Sequence, residues 1–102
     1  MLLASISFRV LPHKRAECLG CIDSLADRIR TAPGCRRSRV MNDIDDADAF
    51  VLVSEWNEPE PAEAFFTSPE FQIFKGIRIL LRDDPCIVLD DVRSRMTRMM
   101  RA

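Results

Sequence analysis

The chain has 102 residues, enough for one domain built around one hydrophobic core. A hydrophobic fraction of 47%, a charged fraction of 30% and only 3 glycines exclude extended disorder, collagen-like repeats and a flexible linker. The formal net charge of -1 supplies no global field for nucleic acid or an anionic membrane, and no apolar run reaches the ~18 residues that cross a bilayer.

Met1 to Phe8 is apolar but lacks a basic leading region and a cleavage site, so it reads as a strand rather than a signal peptide. A cytoplasmic location is expected. Ile6, Phe8 and Val10 alternate with Ser5, Ser7 and Arg9, which sets a first strand from Leu3 to Val10, ended by Pro12. From His13 or Lys14 to about Arg30, Cys18, Ile22, Leu25 and Ile29 recur at helical spacing. Pro33-Gly34 stops that helix and turns the chain.

Cys35 to about Asp43 is a second strand, with Arg37 and Arg39 on one face. The acidic run Asp43 to Asp48 has no glycine and no glutamate at the calcium-loop end position, so it is a solvated loop rather than an EF-hand. Ala49 to Trp56 is the strongest strand. Phe50, Leu52, Ser54 and Trp56 point one way and Val51, Val53 and Glu55 the other, so both faces of the sheet carry apolar residues. Glu58-Pro59-Glu60-Pro61 suits a helix N-terminus, and a short helix runs to about Phe66. Ser68 and Pro69 restart the helix as N-cap and first turn, and Phe71, Phe74, Ile77 and Leu81 continue its apolar face until Asp83-Asp84-Pro85. Cys86 to Val92 is a last strand. The tail over 93–102 holds four arginines and no acid, and Val92, Met96, Met99 and Met100 fall at helical spacing. It reads as a frayed or weakly helical end, or as a Met-lined segment that docks on a neighbouring subunit.

The order β-α-β-β-α-α-β is the split β-α-β arrangement of α+β ferredoxin-like folds: a four-stranded antiparallel sheet with helices on one face. The domain is set at 1–92. The apolar residues on the outer face of the third strand predict a homodimer whose sheets face each other.

Cys18-Leu-Gly-Cys21 has C-x-x-C spacing. A zinc site lacks further ligands, because Cys35 and Cys86 stand apart and His13 is the only histidine. The pair lies inside an apolar helical stripe, which favours buried structural thiols over a redox pair. No tyrosine is present, so phenolic acid–base chemistry is excluded, as are a Gly-rich phosphate loop and a Ser-His-Asp triad.

Three segments carry a family resemblance. Thr31-Ala-Pro-Gly34 is similar to the e-P-G turn of the antibiotic biosynthesis monooxygenase (ABM-type) domain, Phe50 to Trp56 resembles its strand ending in E-W, and Ala62 to Phe71 resembles its helix E-A-x-x-x-H-x-x-S-x-x-F. Together they span about Ser5 to Val92. The resemblance implies a dimeric α+β barrel with a pocket between sheet and helices. It also implies oxygenation of a quinol-like or polycyclic phenol with no cofactor and no metal, or a haem-degrading activity in another branch. Phe65 stands where the family often has a histidine, the axial ligand of haem-degrading members. Phenylalanine can neither ligate iron nor accept a proton, so haem degradation is not expected and imidazole base catalysis is lost. A non-catalytic dimeric ligand-binding or stress-associated protein is the alternative.

On this resemblance the candidate catalytic residues are Trp56, Arg78 and Arg82. Trp56 stacks on a substrate and donates one hydrogen bond, or anchors the core. The arginines stabilise an anion, or form a solvated helix face. The candidate substrate-binding residues are Ser7, Asn57, Phe65 and Phe74. Ser7 and Arg9 line the barrel from the first strand, and Asn57 is a site amide or, as its position favours, a helix cap. Glu55 is expected on the dimer face, with Arg37 or Arg39 as its partner. The partners implied are an aromatic small molecule and a second copy of the chain, with no nucleic acid and no membrane.

Overall fold

The computed structural model describes residues 1–91 in full and the backbone of residues 96–100. The element order is β1 (Leu2–Arg9), α1 (Arg15–Arg30), β2 (Cys35–Asn42), β3 (Ala49–Trp56), α2 (Pro59–Phe66), α3 (Pro69–Phe74), β4 (Cys86–Asp91) and β5 (Met96–Met100). Short 3-10 turns cover Pro12–Lys14 and Lys75–Leu80. The five strands form one sheet in the order β2-β3-β1-β4-β5, every neighbour antiparallel. This is the expected ferredoxin-like order with one strand added at an edge.

The period-2 pattern sets which face is buried. Leu2, Ala4, Ile6 and Phe8 of β1 pair with Trp56, Ser54, Leu52 and Phe50 of β3, and all eight are buried beneath the helices. Helix α1 contributes Cys18, Ile22, Leu25, Ala26 and Ile29 to the same core. Helices α2 and α3 add Ala62, Phe65, Phe66 and Phe71. The Ser68 hydroxyl caps α3 by accepting from Phe71 N–H at 3.2 Å, as its sequence position predicts.

Two elements differ from the sequence reading. The helix begun at Pro69 ends at Phe74 and continues as a 3-10 turn, not as a helix to Leu81. Gly76 and the β-branched Ile73, Ile77 and Ile79 give this stretch a low helix propensity. In the tail, residues 96–100 are a strand on the free edge of β4, with Met99 opposite Val88, so a helix is replaced there by sheet pairing. Residues 92–95 and 101–102 lie outside the described residues.

Asn42 and the acidic loop close the β2–β3 connection by local hydrogen bonds. The Asp43 carboxylate accepts from Asp45 and Asp46 N–H, and the Asn42 amide donates to Ala49 O at 2.9 Å. Arg15 ties this loop to α1 by donating to Ala47 O at 3.1 Å and lying over the Phe50 ring. At the opposite end Gly34 has φ 86°, and its carbonyl accepts from Asn57 N–H at 3.1 Å. A Cβ on Gly34 would meet Pro61 Cβ at 2.7 Å.

Gly34→Ala therefore combines a left-handed backbone with a steric clash. It is expected to lower unfolding free energy by at least about 2 kcal/mol, read from the urea midpoint at an unchanged m-value.

Candidate functional site

Trp56 ends β3 fully buried, and its indole N–H donates to Ser54 Oγ at 2.9 Å. Its ring lies 6.1 Å from Phe65 and 6.0 Å from Phe66, the latter edge-on. Phe71 closes the group at 6.0 Å from Phe65 and 5.1 Å from Phe66. These four rings join the sheet to α2 and α3, and Trp56 has no surface open to a ligand. Phe65 is 8% exposed and borders a shallow surface groove with Ala32, Pro33, Glu60, Pro61 and Ala64.

The other expected site residues lie elsewhere. Arg78 and Arg82 are exposed along an open surface depression with Asp83 and Asp84, and Arg78 Nε is paired with the Asp84 carboxylate. Ser7 is exposed on the sheet face away from the helices, beside Arg9, Met41 and Val51. Asn57 is exposed at the β3–α2 junction. Its position is one residue before the α2 N-cap, which is Glu58, so it does not cap that helix. Arg37 pairs with Glu55 at 3.5 Å within the same sheet, so that ion pair is internal to the chain rather than between subunits.

Phe74 does reach a space between the layers. An apolar cavity of about 20 Å³ lies between the sheet and the helices, walled by Ile6, Phe8 and Ile87 from the strands and Leu25 from α1. Phe71, Phe74, Lys75, Ile77 and Pro85 complete it. At this volume it holds about one water. Its outer wall is fully buried only at its ends, with Phe74, Ile77 and Leu80 packed in part against the core between them. Phe71 is buried below the Ser68 cap, and Leu81 is buried and bridged to Val10. Leu11 N–H donates to Leu80 O at 2.9 Å, and Arg82 N–H to Arg9 O at 2.7 Å. Between these anchors, residues 72–80 include no buried residue, and Ile73 and Ile79 are 77% and 82% exposed.

Lys75 is the one charged residue in the cavity wall, and the sequence reading passed over it. A lysine at the end of a short helix resembles a solvent-facing cation. Only its place inside the run Phe71, Phe74, Ile77 marks it.

Cys18 is fully buried on the core face of α1, and Cys21 is half-buried one turn on. Burial pushes the Cys18 thiol up to about 11, and the neighbouring Cys21 adds to the rise. Burial also raises the Cys35 thiol. A raised thiol is the reverse of what a redox pair needs. Among the described residues no group of three or more His, Cys, Asp or Glu is placed to hold a metal. No helix among them is long and apolar enough to cross a membrane.

A family model described as antibiotic biosynthesis monooxygenase matches residues 1–76. Among solved structures, an antibiotic biosynthesis monooxygenase superposes with TM-score 0.79 at 22% identity, over 90% of this chain and 98% of its own. A Deinococcus radiodurans protein ascribed to the same group gives 0.82 at 16% identity, over 90% and 92%. One from Nitrosomonas europaea, likewise ascribed, gives 0.79 at 15%, over 89% and 97%. These identities establish the shared fold. No curated protein sequence matches the chain.

The Cys18 thiol has a measurable consequence. An unfolded thiol releases its proton near the ordinary 9.0, whereas the folded chain holds it to about 11. Below pH 9 both states keep the proton and the group leaves stability unchanged. Between 9 and 11 the unfolded state loses the proton first, so stability falls as pH rises. Urea midpoints from pH 8 to 11 are expected to show this decline, and Cys18→Ala to flatten it. Iodoacetamide at pH 8 is expected to modify the exposed Cys86 and leave Cys18 intact.

Proposed function

The chain belongs to the antibiotic biosynthesis monooxygenase family, and we propose that it is a cofactor-independent monooxygenase of a quinol-like or polycyclic phenolic molecule. The observation that carries this reading is the apolar cavity between sheet and helices, walled in part by Phe71 and Phe74 and covered by the 3-10 turn Lys75–Leu80. A planar aromatic needs such a site: apolar, water-excluding and with few polar groups. The cavity has room for only about one water, so a ring can enter only if part of residues 72–80 moves outward.

The chemistry balances without an outside reductant. An anthrone-like substrate gives a proton to water and becomes an electron-rich anion, and the peroxide formed from it later takes one back. That anion gives one electron to dioxygen, and the two radicals join at carbon as a peroxide. Loss of water leaves a carbonyl, so one CH₂ and one O₂ become one C=O and one H₂O. The protein's part is to hold the ring, stabilise the oxyanion and exclude bulk water. Phe74 supplies a ring wall. Trp56 does not line the cavity and its N–H is already given to Ser54, and Arg78 is already paired with Asp84.

A second reading, ligand binding without turnover, is favoured by Phe65, which takes the place of a base, and by the closed state of the cavity. Both readings include a homodimer. Leu3, Val51, Val53 and Val88 are half-buried on the sheet face that no helix covers, and a second copy laid on it would bury them.

Dioxygen uptake with an anthrone-like phenol, with autoxidation subtracted, separates the readings. Enzyme-dependent uptake is expected, with KM raised about tenfold in Phe74→Ala. A larger loss of kcat in Trp56→Phe would move the site to the aromatic cluster. Bound phenol without uptake establishes the second reading. For the assembly, light scattering is expected to give a dimer mass, reduced to a monomer in Val53→Arg, whose charge would face its own copy.

A further inference from the structure

A side-chain clasp joins α1 to α3 beside the interlayer cavity. Phe74 lines the cavity and is only half-buried, so its ring stands between the cavity and solvent. Arg28 lies over that ring, its guanidinium carbon 5.9 Å from the ring centroid. Leu25, three residues earlier on α1, walls the same cavity, which places Arg28 along the same seam. The guanidinium also donates from Nη1 to the Glu70 carboxylate at 2.8 Å. Glu70 and Phe74 are four residues apart on α3 and therefore share a face, so one arginine engages both. Glu70 adjoins Phe71, which is buried and donates its N–H to the Ser68 cap, so the clasp is anchored at its base. At the far end of residues 72–80 the ties are backbone hydrogen bonds, Leu11 to Leu80 and Arg82 to Arg9. Those ties survive a change of side-chain rotamer, whereas Phe74 cannot turn outward without leaving the guanidinium.

We propose that Phe74 is the gate of the interlayer cavity and that Arg28, braced by Glu70, is the catch that holds it shut. The inference rests on the proposed use of this cavity as the binding site and adds how that site is closed. The cavity has room for about one water, so a bound ring occupies an enlarged state in which Phe74 has moved outward. The catch belongs to the closed state alone. It shifts the population away from the state that binds, and apparent affinity falls with the fraction that is open. An exposed ion pair and an exposed cation–π contact are each weak, which suits a catch that an entering ligand must release. Removing the catch therefore tightens binding. Removing a contact that merely supports the site would loosen binding or leave it unchanged.

The test uses the full chain and 2-naphthol, a flat phenol. Affinity is read by calorimetry, association by stopped-flow fluorescence, and location by the methyl resonances of Ile6 and Ile87 in the strand wall of the cavity. Arg28→Met is expected to bind about threefold more tightly than the wild type, through faster association at little-changed dissociation. Glu70→Ala, which leaves the guanidinium unbraced, is expected to give about twofold. The ratio of each variant to the wild type is expected to fall toward one as salt is added, because an exposed ion pair is screened. Should Arg28→Met fail to fold, Glu70→Ala and its salt dependence decide the matter. Variants that bind no faster and no more tightly than the wild type, with both methyls shifting, overturn the catch and leave the cavity as the site. Absence of those methyl shifts in wild type and variants alike overturns the cavity as the site and the proposal with it.

Discussion

Four aromatic rings hold the layers of this protein together at one end. Trp56 is the sheet's contribution, Phe65 and Phe66 come from α2, and Phe71 from α3, with ring centroids 5.1 to 6.1 Å apart. Edge-on packing of this kind is directional, so it fixes the angle of both short helices as well as burying area. Neither helix is long enough to be stable alone. Their geometry depends on the cluster, and the Ser68 cap and the close contact of Gly34 with Pro61 are consistent with that one docking.

The consequence is an asymmetry along the molecule. Near Trp56 the helices are locked to the sheet. Beyond Phe71 no residue is fully buried until Leu81: Phe74, Ile77 and Leu80 pack against the core only in part, and Ile73 and Ile79 stay in solvent. A helix continued to Leu81 would have turned its apolar side steadily toward the core. The 3-10 turn has three residues per turn instead, so its side chains rotate out of step with that face. The cavity lies under this turn, with Phe74, the stem of Lys75 and Ile77 forming part of its wall.

This explains which parts were legible in the sequence. The period-2 pattern of Ala49–Trp56 and the helical stripe from Cys18 to Ile29 each bury a full face, so pattern and packing agree and their limits are recovered. The stretch from Phe71 to Leu81 keeps helical spacing in its apolar residues, yet backbone preference at Gly76 and three isoleucines prevails over the pattern. The tail was misread for a different reason. Its methionines repeat at helical intervals, but the free edge of β4 offers unpaired backbone groups, and pairing is decided by that partner rather than by the tail's own spacing. The site was less legible than the fold. Trp56, Arg78 and Ser7 are separated into the core, a surface ion pair and the opposite sheet face, distinctions that depend on packing around each residue and not on its type.

Phe65 connects the packing to the chemistry. An imidazole at this position would sit among Trp56, Phe66 and Phe71, and its two ring nitrogens would need partners that those rings do not offer. The nearby polar atom, Ser54 Oγ, already accepts from the indole. With phenylalanine the rings pack against one another and need no further polar partner, which suits this end of the molecule to holding the layers together. The interlayer cavity shares only Phe71 with this cluster and lies under residues 72–80, where Phe74 and Ile77 wall it and Lys75 contributes its stem. Among the described residues neither an imidazole nor a carboxylate lines that cavity, so a phenol bound there has no side-chain base and has to arrive already ionised by water.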